Sequence, residues 1–154
     1  MNGPTHLAGG LAAATAVSLY FAVDPVTGLA GAVIGAGAAL IPDWFNIAFP
    51  GINLAGFEGH RGVSHWLLTA IGLAYLFAGR VPGLWQYFLA GYCSHLLFDM
   101  LTERGIPLLG PLPHQIRLAP FRNGGRVDHL LGAISLLASI AMTAAWMIGL
   151  VKVS

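Results

Sequence analysis

Five stretches of 16 residues or more carry no Asp, Glu, Lys or Arg: residues 7–23, 25–41, 62–79, 83–98 and 130–151. A membrane core about 30 Å thick takes about 20 mostly apolar residues per helix, and runs of this kind have no other comfortable solvent. They predict an all-α fold, an integral membrane bundle of about five transmembrane helices, with residues 1–154 forming a single transmembrane helical domain. Composition agrees: 8% of the residues are charged, against about 25% in an ordinary soluble domain. Mean hydropathy is +0.75. A net charge of +1 argues against nucleic acid as a partner, because such a binder needs strong basic charge to neutralise phosphates. The one cysteine, Cys93, excludes an internal disulfide, and its apolar surroundings predict a packing role.

The first run, Leu7 to Val23, reads as a retained helix rather than a signal peptide, because no Lys or Arg precedes it. Thr5 is its expected N-cap, with His6 at the entrance. The second, Pro25 to Ile41, has proline where a first turn tolerates it and Pro42 as the expected exit. Gly31 and Gly35 form a G-x-x-x-G, which predicts close packing at the centre of the bundle. Trp44 to Phe57, broken by Pro50, Gly51 and Gly56, reads as an interfacial or re-entrant loop. Glu58, His60, Arg61 and His65 crowd the start of the third run. Arg80 and Pro82 mark a turn, so the third and fourth runs form an antiparallel hairpin. Residues 104–127, rich in proline, glycine and arginine, indicate no helix. Asp128 and His129 open the last run, which carries Trp146 near its far boundary.

The fourth run ends in GYCSHLLFDMLTE, where His95, Asp99 and Glu103 fall at i, i+4 and i+8. On a helix all three share a face, and neighbours one turn apart can share one metal ion or one proton. With five alternating spans, His6, Asp43, residues 58–65, Asp99 and Asp128 with His129 gather on one side of the membrane. That side also carries Arg61, Arg104, Arg117, Arg122 and Arg126, against Arg80 and Lys152 on the other. The positive-inside rule places the cluster and the amino terminus in the cytoplasm and the carboxy terminus outside.

Ionisable groups in a membrane are costly and tend to pair, bind ions or line a pathway. Imidazole with carboxylate suits zinc and comparable divalent ions, and an open coordination position brings a bound water to a pKa near ~7. Ser64 and Ser94 each lie beside a histidine, but neither has a glycine-bounded nucleophile elbow. Structural pairs that merely lock helix ends, such as His95 with Asp99 or Arg61 with Glu58, are the competing account.

THLAGG at 5–10, LIPDW at 40–44, HRGVSH at 60–65, SHLLFDMLTERGIPLLGP at 94–111 and FRNGGRVDH at 121–129 together resemble the YdjM-like family of bacterial membrane-bound metal-dependent hydrolases. The resemblance implies metal-binding roles for His6, Asp43, His60, His65, His95 and Asp99. It departs from the family at Phe45, where a second acidic residue often follows Pro-Asp, while the acidic residue after the Gly-Gly block is here Asp128. The order His, Asp, His, then His-x-x-x-Asp is also similar to zinc-dependent phospholipase C. That likeness makes Asp99 a bridging ligand and lets the amine of Met1 join His6, while the phospholipase His-x-x-x-Glu has no counterpart here.

The expected function is hydrolysis of a phosphoester in a lipid or lipid-linked substrate at the cytoplasmic face of the bacterial inner membrane. One or two divalent ions, zinc first and manganese or magnesium next, are the expected cofactor. Asp43, Arg61, Glu103 and Asp128 are the candidate catalytic groups. Glu103 is placed as a general base or an orienter of His95 or Asp99, and Arg61 or Arg104 as the phosphate binder. A metal or proton transporter is the alternative, but that function wants its ionisable groups at the midplane. A polar cluster that only fixes the bundle is the third.

Overall fold

A computed structural model describes residues 1–48, 62–110 and 114–148. The fold is all-helical: α1 (Gly3–Phe21), α2 (Pro25–Ala38), α3 (Ile41–Ala48), a 3-10 turn (Val63–His65), α4 (Leu67–Ala78), α5 (Trp85–Met100) and α6 (Arg126–Met147). Among the described residues there is no strand, only isolated backbone bridges between Thr102 and Phe121 and between Ile106 and Ile116. Among the described residues one helix, α6, is long and apolar enough to cross a membrane, while α2 and α4 are shorter apolar helices.

Local chemistry sets the helix ends, and it moves several of them from where the charge pattern put them. The N-cap of α1 is Asn2, whose Oδ1 accepts from the Thr5 amide at 2.9 Å, with Pro4 in the first turn. Thr5 is therefore inside the helix and His6 is in its second turn. At the other end of the molecule Asp24 caps α2, accepting from the amides of Val26 and Thr27 and from the Thr27 hydroxyl at 2.5 Å. The hydroxyl and then these amides hold its carboxyl below the usual range. Pro42 does not close α2 but sits in the first turn of a separate helix, α3, so Asp43 and Trp44 are helical. The remainder of the expected loop, 49–57, lies outside the described residues. The third run is helical only from Leu67, its first residues forming the 3-10 turn.

The α5 helix ends at Met100, with Thr102 Oγ1 donating to the Asp99 carbonyl at 2.7 Å. Glu103 is thus off the helix, exposed, and its amide bonds to the Phe121 carbonyl at 3.0 Å. The expected three-residue stripe stops at Asp99. The last helix begins earlier than expected, at Arg126, and includes Asp128 and His129.

Three helices approach through glycine. A Cβ on Gly10 would lie 2.5 Å from Ala39 Cβ and 2.6 Å from the Gly35 carbonyl oxygen, and one on Gly91 would collide with that same oxygen. Gly31 is covered by the ring of Tyr87. The G-x-x-x-G of α2 is therefore the meeting point of α1, α2 and α5, as small residues permit in lipid. Beside it Tyr92, Leu96 and Ile106 form the apolar core with Ala70 and Ala74 of α4. The last helix leans on α1, tied by Thr15 Oγ1 to Ser139 Oγ at 3.0 Å, and Gly132 packs on Thr5. Large apolar side chains face outward on every flank, including Leu29, Val33, Leu68, Tyr75, Leu137 and Ile140. So wide an apolar exterior marks a lipid-facing surface.

Candidate metal centre

Four elements bring donors to one point near an end of the bundle. His6 comes from α1, Asp43 from α3, His65 from the 3-10 turn, and His95 with Asp99 from the last turns of α5. The three histidines are wholly buried and Asp99 is 1% exposed. Asp43 retains 23% of its side-chain exposure, so it is the member that faces outward.

The rings are oriented by what lies behind them. Where α2 ends, its last carbonyls lose their helical partners. That of Ala39 accepts from His95 Nδ1 at 2.7 Å. A carbonyl can only accept, so Nδ1 carries the proton and the neutral ring turns its Nε2 lone pair into the site. His6 stacks on His95 with centroids 3.7 Å apart and planes at 18°. Ser64 Oγ lies 3.1 Å from His65 Nδ1, and the turn carrying both is held by Tyr92, whose hydroxyl donates to the Ser64 carbonyl at 2.5 Å. Thr69 Oγ1 donates to the Val63 carbonyl at 2.7 Å.

The carboxylates complete two overlapping sets. Asp43 Oδ1 is 3.6 Å from His95 Nε2 and 3.8 Å from His65 Nε2. Asp99 Oδ2 is 3.5 Å from His65 Nε2 and 3.9 Å from His95 Nε2, while its Oδ1 is 3.3 Å from His6 Nε2 and takes the Met1 amine. Within His6–Asp43–His95, and within His65–His95–Asp99, all donor atoms lie inside 4.8 Å.

This donor set fits a metal ion. Ligands bonded to one zinc at about 2.1 Å stand about 3.4 Å from one another in a tetrahedron, which is the spacing found here. The Nε2 atoms of His65 and His95 face each other at 3.1 Å, a spacing that a shared proton or a shared cation accommodates. His6 Nδ1 is buried with no hydrogen-bond partner among the described residues, another sign that the ring is held for something other than packing.

Of the remaining candidates, His60 and Arg61 lie outside the described residues. Glu103 and Arg104 are exposed on the segment after α5. Asp128 is wholly buried, but its Oδ2 accepts from the amides of Asn2 at 3.0 Å and Gly124 at 2.7 Å, and its carbonyl accepts from Thr5 Oγ1 at 3.1 Å. It clips the start of α1 to the start of α6, which makes it a positioning residue for His6. Asp128→Ala leaves two amides without acceptors, an expected loss of about 1–3 kcal/mol. Thermal melting in detergent measures it, and an unchanged melt rules out the clip. Two groups escaped the sequence reading. The Ala39 carbonyl has no side-chain signal, and Ser64, which lacks a nucleophile elbow, serves instead as a partner of the His65 ring. The Met1 amine, implied by the likeness to phospholipase C, does reach the cluster.

Fold and site together define an all-helical membrane protein with a buried His/Asp cluster able to hold a metal ion. The chain belongs to the YdjM family: the family described as "YdjM inner membrane protein" matches residues 1–153. It is 31% identical to YvsG of Bacillus subtilis (strain 168) over 141 residues, which cover 85% of this chain and 86% of YvsG. It is 43% identical to the inner membrane protein YdjM of Escherichia coli (strain K12) over 67 residues, 39% of this chain and 34% of that protein. The YdjM of Shigella flexneri matches to the same extent. No solved structure matches.

Proposed function

We propose that this protein is a metal-dependent hydrolase of the inner membrane that cleaves a phosphoester of a lipid or lipid-linked substrate at the cytoplasmic face. The observation that carries the reading is the convergence of three imidazole Nε2 atoms on two carboxylates in a buried site. His6, His65, His95, Asp43 and Asp99 would hold one or two divalent ions, zinc before manganese. When bound, such an ion supplies Lewis acidity and a water acidic enough to deprotonate near pH 7. The chain's own residues hold the donors in place: Ala39 and Ser64 fix two rings, and Asp99 is close to all three. Asp43, 23% exposed beside the 72% exposed Trp44, marks the side from which a substrate enters.

Depth favours a lipid. The 14 residues of α2 and 12 of α4, against 22 of α6, make those helices about 12 and 15 Å shorter at 1.5 Å per residue. A site at the end of α2 and the start of α4 is then recessed toward the level of lipid phosphates rather than standing in open water. In the proposed topology α1, α2, α4, α5 and α6 are the five spans. Cysteine labelling in a Cys93→Ala background checks it. Asn123→Cys is expected to react from the cytoplasmic side and Arg80→Cys from the other, and reaction of both from one side overturns the topology.

Elemental analysis of the detergent-purified protein, with hydrolysis of phospholipid in mixed micelles before and after chelation, tests the function. The expected result is about one to two ions per chain and an activity that is lost with them. A wild type without bound metal, or with hydrolysis indifferent to chelator, overturns the reading.

A further inference from the structure

The segment between α5 and α6 has two unlike faces. Its inner face is sealed onto the bundle: Ile106 is wholly buried in the apolar core, Thr102 is 1% exposed, and the Leu67 amide donates to the Leu108 carbonyl at 2.9 Å. Its backbone is cross-tied. Ile106 and Ile116 exchange amide-to-carbonyl bonds at 2.8 and 3.1 Å, and the Leu118 amide donates to the Met100 carbonyl at 2.8 Å. These ties fix what the outer face shows.

That outer face shows arginine. Arg104, Arg117 and Arg122 are exposed on the segment and Arg126 is exposed at the first position of α6. A Cβ at Gly105 would lie 3.1 Å from Arg117 Cβ, so Arg117 sits against the chain next to Arg104, and its Nη1 spends one donor on the Glu103 carbonyl at 3.1 Å. Among the described residues no carboxylate forms a salt bridge with any of the four guanidinium groups. Glu103 is the one acidic side chain exposed among the described residues 101–125. Between the arginines stand Leu109 and Leu118, 59% and 61% exposed. A loop in water has no use for large exposed leucines beside unpaired arginines, whereas a loop at headgroup depth satisfies both. The level is right as well, because α6, the helix long enough to cross the bilayer, begins at Arg126.

We infer that the outer face of residues 104–110 and 114–126 is a binding surface for anionic phospholipid headgroups of the surrounding cytoplasmic leaflet, with guanidinium groups on the phosphates and Leu109 and Leu118 in the upper acyl region. Arginine suits this partner through its fork of donors matched to phosphate oxygens. Basic residues at such a surface each contribute about fivefold in association at low salt, decaying with the Debye length. The surface shares no residue with the metal donors, and apart from Arg104, a candidate phosphate binder of the hydrolase, it stands or falls separately from the hydrolase reading.

The test uses the full chain reconstituted in phosphatidylcholine vesicles with spin-labelled phosphatidylglycerol or spin-labelled phosphatidylcholine as probe. The wild type is expected to hold phosphatidylglycerol at least about fivefold more strongly, a preference that shrinks toward parity in 1 M salt. The variant Arg104→Gln, Arg117→Gln, Arg122→Gln, Arg126→Gln loses the preference, while Arg80→Gln at the other end keeps it. A second readout does not depend on those substitutions. A polarity-sensitive dye on Leu118→Cys, in a Cys93→Ala background, is expected to be quenched by lipid brominated near the headgroup and shielded from aqueous iodide. A preference unchanged in the quadruple variant overturns the inference. So does a dye open to iodide, or displacement of the labelled lipid by millimolar inorganic phosphate, which would mark a site for soluble anions.

Discussion

Asp99→Asn is expected to cost this protein its bound metal, with content falling more than tenfold, while the helical bundle survives. Asp99 touches His6, His65, His95 and the Met1 amine, so no other single charge serves as many of the donors. Asparagine keeps the shape and one oxygen but removes the anion that all three imidazoles face. A structural pair gives the opposite pattern. Breaking a buried ion pair costs about 3–5 kcal/mol, so a purely structural Asp99 predicts a severely destabilised variant whose melt no chelator or metal can move. Mass action separates the two, because a ligand present at about 100 times its Kd stabilises the folded state by about 2.7 kcal/mol. Thermal denaturation in detergent with zinc and with chelator should therefore shift for wild type and stay fixed for Asp99→Asn. Glu103→Gln, on an exposed residue beyond the end of α5, should behave as wild type. Chelator-insensitive wild type beside a badly destabilised Asp99→Asn sinks the metal centre.

The second large effect is steric. Gly91→Ala places a methyl group into the Gly35 carbonyl oxygen, and the neighbouring backbone atoms of Gly35 are within 2.8 Å of it. Backbone cannot swing aside as a side chain does, so α2 and α5 must separate, with an overpacking cost of about 3 kcal/mol or more. One turn further along α5 is His95, whose ring is aligned by the carbonyl of Ala39. Spreading the two helices pulls that pair apart, and loss of metal should accompany loss of stability. Gly37→Ala and Gly72→Ala, where the added Cβ meets nothing within 4 Å, are expected to melt at or slightly above wild type, since alanine is the better helix former. If Gly91→Ala melts with them, the close approach of α2 and α5 is wrong.

What was legible in the sequence, and what was not, follows from where the information sits. Charge is so scarce here that each ionisable residue stands out, and His95 with Asp99 declare their pairing by helical spacing alone. The Gly31–Gly35 repeat likewise announced close packing, which Tyr87 and Gly91 supply from α5. Helix ends were harder. The end of α5 depends on Thr102 folding back on the Asp99 carbonyl and on pairing of residues 102–106 with 116–121, and such distant pairing leaves no mark on hydropathy. Pro42 was ambiguous in kind, since proline closes one helix or opens the next with the same ring. Asp128 shows the remaining difficulty. Its acidity and its place beside His129 at the start of the last run suggested chemistry, but its partners are main-chain amides, which every residue type carries alike.

The hydrogen bond from His95 to Ala39 makes one part of this site unwritten in side chains. Position 39 presents the same oxygen whatever amino acid stands there, so a substitution scan of that position reports only the crowding around a wholly buried alanine, never the acceptor itself. A comparison of aligned sequences would register that crowding and miss the acceptor. Only a change to the main chain reaches it. An ester in place of the amide between residues 39 and 40 weakens that carbonyl as an acceptor while leaving every side chain untouched, and through it the tautomer of a histidine 56 positions away becomes adjustable.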